Sequence, residues 1–460
     1  MSHIDTLFSR RSTGIILFVA FLLLWAMLTK VHTYSWQEES RMATVQALVE
    51  QGTFVIDHTP FNRTGDKVFV NGHFYSDKTP LLSVAAAGVY SILRNGFGLT
   101  LDPAICVPDE DTSACRAFGP AGVRLTAFYW LTLIFMGGSS ALLVALFWKA
   151  MIGWGWSGLV STGLAIALGL ASPIAPYSIV FAGHVPAALC LFAGFMLLAR
   201  CHSEPCSGEE SHETLRRCAA QGDRRLFWAG VLVSLSANID LTLAAFIIAF
   251  GVWALLKHRA RGLLFALGAG VPFAVSAAIN YWAAGTIVPL YFDPNAYDFY
   301  GTVLNKTVGG TDGFYSLDFG LRYTYNLLIG QRGLFSFTPL LVYALIGVGL
   351  TLRDRRSPLR GLSAAVIAAW IAFTLYLIFR TDNFGGVAWG TRWFVPIAPV
   401  VWAFVPRASR ALSITPRLRP IGHIVFAMAV IVSFLTVVPG LHDAWRIASP
   451  IIQIYLPAGG

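Results

Sequence analysis

The chain has 460 residues, of which 56% are hydrophobic and only 12% charged, with a mean hydropathy of +0.63. Long apolar runs recur between short polar breaks. Runs of ~18 or more residues cross a bilayer as helices, so this composition excludes an ordinary soluble globule. The formal charge of +9 does not point to nucleic acid, because Arg and Lys gather in short loops as cytoplasmic loops of membrane proteins require.

In chain order, "MSHIDTLFSRRSTG" leads into an apolar run ending near Met27 with no small-residue cleavage site. It reads as a signal anchor whose Arg10 and Arg11 hold the N-terminus in the cytoplasm. "SWQEESRMATVQALVEQGTFVID" follows. Met42, Val45, Leu48 and Val49 recur at helical spacing and Gly52 supplies a stop, which predicts an amphipathic helix on the outer membrane surface. Trp36 would anchor it, and Glu38 and Glu39 fall in its first turn, where acids also simply favour the helix dipole. "DKVFVNGHFYSDKTPLL" reads as a short hairpin with "NGH" at the turn. It delivers Asp77 and Lys78 to the membrane surface, and Pro80 opens the next helix at its favoured first turn. Leu81–Leu93 is apolar but only about thirteen residues long, which predicts an interfacial or re-entrant helix on the outer face. Cys106 and Cys115 flank "VPDEDTSA" in the same external loop, where an oxidising compartment permits a disulfide.

Basic clusters set the remaining topology: Arg200 with Arg216, Arg217, Arg224 and Arg225; Lys257 to Arg261; Arg353 to Arg360; Arg407 to Arg419. Alternation between them gives about eleven spans. They fall near 14–30, 122–148, 156–178, 186–200, 226–238, 241–256, 262–283, 338–352, 361–379, 394–406 and 421–439. The chain then divides into 1–30 (cytoplasmic N-terminus and first span), 31–121 (first external loop), 122–283 (spans two to seven), 284–337 (external segment) and 338–460 (last spans and tail). The cytoplasmic Cys201, Cys206 and Cys218, with His202 and His212, match no standard zinc spacing. Asp240, in "SANID", sits at the outer end of a span, and an acid there is a functional candidate. "YFDPNAYDFYGT" alternates aromatic and acidic residues, so Asp293, Tyr297 and Asp298 are candidates for a sugar-binding groove.

"EESRMATVQALVEQGTF" followed by "FYSDKTPLL" resembles the first external loop of the GT-C membrane glycosyltransferases, closest to the branch of protein O-mannosyltransferases and the lipid A aminoarabinose transferase. The resemblance places Glu38 at the catalytic acid, Glu39 at its neighbour, Arg41 at the following Arg, Asp77 at the acid of a "[ED]-K-P-P-L"-like stretch and Lys78 at the lysine that contacts the lipid phosphate. Thr79 stands for the first Pro of that stretch, and Glu replaces Asp at the base position. "NFGGVAWGTRWFVPIAP", with Arg392, and "QRGLFSFTPLL", with Arg332, resemble further stretches of bacterial relatives. The loop at His184 lies where relatives often carry an acid; that acid is absent here, so no metal site carries over.

The resemblance implies an all-α GT-C bundle that moves a sugar from a polyprenyl-phosphate donor to a lipid, glycan or protein acceptor at the periplasmic face of a bacterial inner membrane. No cofactor is expected. An acceptor hydroxyl needs a carboxylate base and a departing phosphate needs cations. Glu38 is expected as the base, with Glu39 or Asp77 orienting the acceptor. Lys78, Arg392, Arg41 and Arg332 are expected at the phosphate, and His184 and Asp240 with the external segment at the substrate. A transporter or flippase of lipid-linked sugars, and a noncatalytic polyprenyl-lipid binder, are the rival readings. Charge gathered at span ends, rather than mid-span, favours the surface-facing enzyme.

Overall fold

The computed structural model describes residues 5, 8–101, 126–200, 212–302, 317–330, 332–381, 385, 388–414 and 419–445. It is an α-helical bundle whose described strands make one two-stranded hairpin. Five helical stretches are long and apolar enough to cross a membrane. These are α1 (Arg11–Leu28), α4 (Ala127–Gly153), the pair within Leu241–Ala284, α12 (Arg360–Arg380) and α14 (Arg419–His442). Three shorter apolar helices join them: α5 (Gly158–Leu170), α6 (His184–Arg200) and α11 (Leu340–Arg353). Their outer faces carry large apolar side chains such as Met27, Leu256, Leu267 and Ile424, all more than half exposed. A soluble monomer does not display that much apolar surface; a lipid-facing bundle does.

The region expected as spans 226–238, 241–256 and 262–283 is three packed helices. α7 (His212–Ile239) has 28 residues, about 42 Å of helix. It ends at Asp240, whose side chain caps a 3-10 turn at Leu241–Leu243. α8 (Ala244–His258) returns and α9 (Leu263–Ala284) rises again after a second 3-10 turn at Arg259–Gly262. α7 and α9 approach backbone to backbone. A Cβ at Gly230 would sit 2.0 Å from the Phe265 carbonyl oxygen, and one at Gly268 2.0 Å from that of Phe227. Small residues at a crossing are how helices gain packing where lipid supplies no hydrophobic drive.

The segment between α1 and α4 folds as α2 (Trp36–Glu50), β1 (Lys67–Val70), β2 (His73–Ser76) and α3 (Pro80–Phe97). α2 differs from the expected surface helix. Gln37, Glu38 and every residue from Ser40 to Ala47 are buried, polar and apolar alike, so protein covers both its faces. Most of its polar side chains find a partner, Gln37 in Arg392 and Ser40 in Ser76, which offsets the usual cost of burying them. Gly52, at φ +69°, follows its end as expected. The hairpin turns at Asn71 (φ +52°) and Gly72 (φ +85°), two positive φ values as a two-residue type I′ turn requires. α3 begins at Pro80, runs to Phe97 and buries one stripe, Leu82, Ser83, Ala86, Ala87 and Tyr90, much of it against α2. The Tyr90 hydroxyl donates to Glu50 at 2.6 Å and Arg94 pairs with the same carboxylate at 2.9 Å, tying α3 to the end of α2. α3 has 18 residues and is not among the five stretches fit to span. Cys106, Cys115, Cys201 and Cys206 lie outside the described residues, as does the side chain of Cys218.

Candidate active site

The hairpin register builds the first half of the site. Lys67 pairs with Ser76, so the residues just beyond, Asp66 and Asp77, come to the same end. Lys78 Nζ lies 2.8 Å from Asp66 and 3.0 Å from Asp77. Ser76 Oγ accepts from the Lys78 amide at 3.1 Å and meets Ser40 Oγ at 2.6 Å, which locks the end of the hairpin to α2. Burial works against the Lys78 ammonium, but Asp66 and Asp77 outweigh it and hold its pKa above that of an ordinary lysine. Burial pushes Asp77 up to about 6 against the pull of Lys78. Asp66 carries no motif of its own; only the strand register reveals it.

A cleft with an empty volume of about 470 Å³, its open mouth included, passes beside this trio. Asp77, Lys78 and Thr79 line it, with Thr44 of α2 opposite and Asn280 and Ala283 at the outer end of α9. Of the three external residues, Tyr297 turns inward into a small core with Phe54, Val68 and Tyr75, and its hydroxyl is buried without a partner among the described residues. Asp293 and Asp298 are exposed, and Asp293 caps its own short turn by accepting from Asn295 N at 2.9 Å. The structure does not bring these two acids to the cleft lining.

At the start of α2, the Ser35 hydroxyl accepts from Glu38 N at 3.4 Å and the Glu38 carboxylate reaches back to Tyr34 N, a variant of the capping box readable in "SWQE". Glu38 is fully buried. Its Oε2 accepts from Tyr34 N at 2.8 Å, Ser35 Oγ at 3.2 Å and Trp445 Nε1 at 3.1 Å, and its Oε1 accepts from Phe181 N at 2.9 Å. Burial raises it to about 7 against those four donors. Glu39, one residue on, points elsewhere. It is half-buried and its carboxylate makes no hydrogen bond or ion pair among the described residues. Burial, with the nearby charge of Asp66, raises it to about 7 as well.

Arg41 lies one turn beyond Gln37 and is 3% exposed. Its two terminal nitrogens reach the Thr79 and Ile239 carbonyls at 3.4 and 3.5 Å. Burial lowers it to about 10, against the attraction of Asp240, Asp77 and Asp66. On the far side, His184 Nδ1 lies 2.5 Å from Asp240 Oδ2. Arg392 donates to Gln37 Oε1 at 2.8 Å and stacks its guanidinium 5.4 Å from the Trp445 ring centre. The Arg332 carbonyl accepts from Thr391 Oγ1 at 2.7 Å, which places Arg332 with Arg392 rather than with Lys78. The candidates thus form two clusters on α2: Lys78, Asp77 and Glu39 with Asp66, and His184, Asp240 and Arg392, with Arg41 between them. Among the described residues no contact joins Arg392 to Lys78. None of the described His, Cys, Asp and Glu side chains form a group of three that could hold a metal ion; Asp66 and Asp77 share an ammonium.

The fold is that of a multi-pass membrane protein of GT-C architecture. The particular likeness is to the crystal structure of ArnT from Cupriavidus metallidurans bound to undecaprenyl phosphate, at a TM-score of 0.51 and 14% identity. The match covers 90% of this chain and 63% of that one, so the chain spans less than two thirds of the ArnT structure. No protein-family profile and no curated protein sequence matches the chain.

Proposed function

We propose that the chain transfers a sugar from a polyprenyl-phosphate donor to an acceptor hydroxyl at the periplasmic face of a bacterial inner membrane. The observation that carries this reading is Lys78 on the cleft, held by Asp66 and Asp77, with Glu39 near enough to feel the charge of Asp66, its own carboxylate unpartnered among the described residues and raised to about 7. The likeness to ArnT with its bound undecaprenyl phosphate supports the donor class. An ammonium carries three donors; Asp66 and Asp77 take two, which leaves one for a phosphate oxygen. Ala283 of α9, with Pro289 and Leu290 beyond it, gives the cleft an apolar wall that suits the first units of a prenyl tail.

Glu39, rather than Glu38, is the base in this reading. Glu38 accepts from four donors that take up its lone pairs, so none is left for an acceptor hydroxyl; it positions α2. Glu39 takes the proton of the acceptor hydroxyl, whose oxygen attacks the anomeric carbon. The bond from that carbon to the phosphate oxygen breaks, and the polyprenyl phosphate leaves with the electron pair. Lys78, with Arg41 behind it, stabilises the charge that gathers on the phosphate. The test is transfer from undecaprenyl-phosphate-linked hexoses by the purified chain. Glu39→Gln is expected to lose roughly 10²–10⁴-fold in rate while still binding undecaprenyl phosphate. Transfer at the wild-type rate by Glu39→Gln would remove Glu39 from the role.

A further inference from the structure

In the cluster of His184, Asp240 and Arg392, and at Arg41 beside it, three nitrogens are buried without partners among the described residues: His184 Nε2, Arg41 Nε and Arg392 Nε. His184 is only 4% exposed, so its unmet nitrogen is costly unless a ligand meets it. Its other nitrogen is already committed to Asp240. That carboxylate is itself fixed, because Oδ1 accepts from Thr242 N at 3.3 Å and Thr242 Oγ1 at 2.7 Å. A carboxylate only accepts, so Nδ1 carries the ring proton. Burial, helped by the charges of Arg392 and Arg41, holds the ring below an ordinary histidine against the pull of Asp240 and opposes a second proton. Nε2 therefore keeps a lone pair.

A buried acceptor beside buried N–H donors calls for a group that donates and accepts at once. A hydroxyl does both; the phosphodiester that joins a sugar to a prenyl chain carries no proton and only accepts. The location says whose hydroxyl. Thr79, next in chain to Lys78, donates through Oγ1 to the Ile239 carbonyl at 3.5 Å, and Ile239 precedes Asp240. The His184 cluster and the phosphate position at Lys78 share that wall, so a sugar joined to the phosphate comes to lie against His184. We propose that His184 Nε2 accepts a hydrogen bond from a hydroxyl of the donor's sugar and thereby selects which sugar is carried. The assignment rests on the donor reading above.

The experiment measures binding of bare undecaprenyl phosphate, and of undecaprenyl phosphates bearing glucose, galactose or mannose, to the full chain in detergent. The wild type is expected to hold one glycosylated lipid more tightly than the bare lipid. His184→Asn keeps an amide where Nδ1 stood, preserving the Asp240 contact, and removes Nε2. It should bind bare lipid as the wild type does and lose about threefold to tenfold on the preferred glycosylated lipid, the range of one hydrogen bond. His184→Gln returns an amide near the Nε2 position and should recover part of the preference. Equal losses on bare and glycosylated lipid in both variants would show a purely structural His184 and overturn the assignment. So would unchanged binding in both, or a wild type that holds no glycosylated lipid better than the bare one. If the wild type binds no lipid at all, bare lipid included, the donor reading fails and takes this assignment with it.

Discussion

Glu38→Gln separates a positioning carboxylate from a catalytic one. The substitution replaces one oxygen by an NH₂ group. With the amide oxygen at Oε2, the bonds from Tyr34 N, Ser35 Oγ and Trp445 Nε1 survive, and the NH₂ faces the Phe181 amide. Two donors then meet in a buried place and at least one N–H is orphaned, at about 1–3 kcal/mol. The flipped amide is worse, since it turns its donor on Tyr34 N and Trp445 Nε1 together. Glu38→Ala orphans those three rigid donors at once, at least about 3 kcal/mol. Thermal unfolding of the purified chain in detergent, followed by tryptophan fluorescence, should show Glu38→Gln melting below the wild type and Glu38→Ala lower still. Sugar transfer should fall only with the folded fraction. A Glu38→Gln protein that melts with the wild type but transfers no sugar would refute this reasoning and return Glu38 to the role of base.

The pH dependence of transfer should carry a limb near pH 7: only ionised Glu39 accepts a proton, so the rate falls about tenfold per unit below its raised pKa of about 7 and levels above it. That limb should be missing from the residual activity of Glu39→Gln. Gly230→Ala drives a methyl into the Phe265 carbonyl, 2.0 Å away, and should lower folded yield sharply. An alanine at the neighbouring Gly270, which meets nothing within 4 Å, should be tolerated when both are compared by size-exclusion profile. Single cysteines at His73 and Thr100 should label from the same outer side with a membrane-impermeant maleimide, because α3, though as long as α1, is not among the helices apolar enough to span; labelling from opposite sides would make it a span.

Local chemistry is what the sequence displays well. The Asn71-Gly72 turn, Pro80 at the first helical position, Gly52 after α2 and the apolar runs all follow from residue preferences within a few positions. The site itself is assembled over distances that no local pattern encodes. Arg41 reaches Ile239 across 198 residues, Arg392 reaches Gln37 across 355 and Trp445 reaches Glu38 across 407. Asp240 and His184 stand 56 residues apart, and each alone reads as an isolated polar residue in an apolar region. The choice between Glu38 and Glu39 shows the limit most sharply. Neighbours on a helix point about 100° apart, so a helix lodged in a protein can bury one acid and offer the other to a cleft. Composition cannot say which. The capping box can: Ser35 followed three residues later by Glu38 commits that carboxylate to the backbone at the helix start. An acid committed in this way is a poor base, because its lone pairs are spoken for before any substrate arrives. Glu39, one residue on, has no such commitment: its carboxylate makes no hydrogen bond or ion pair among the described residues and feels the charge of Asp66, so its lone pairs stay open to a substrate.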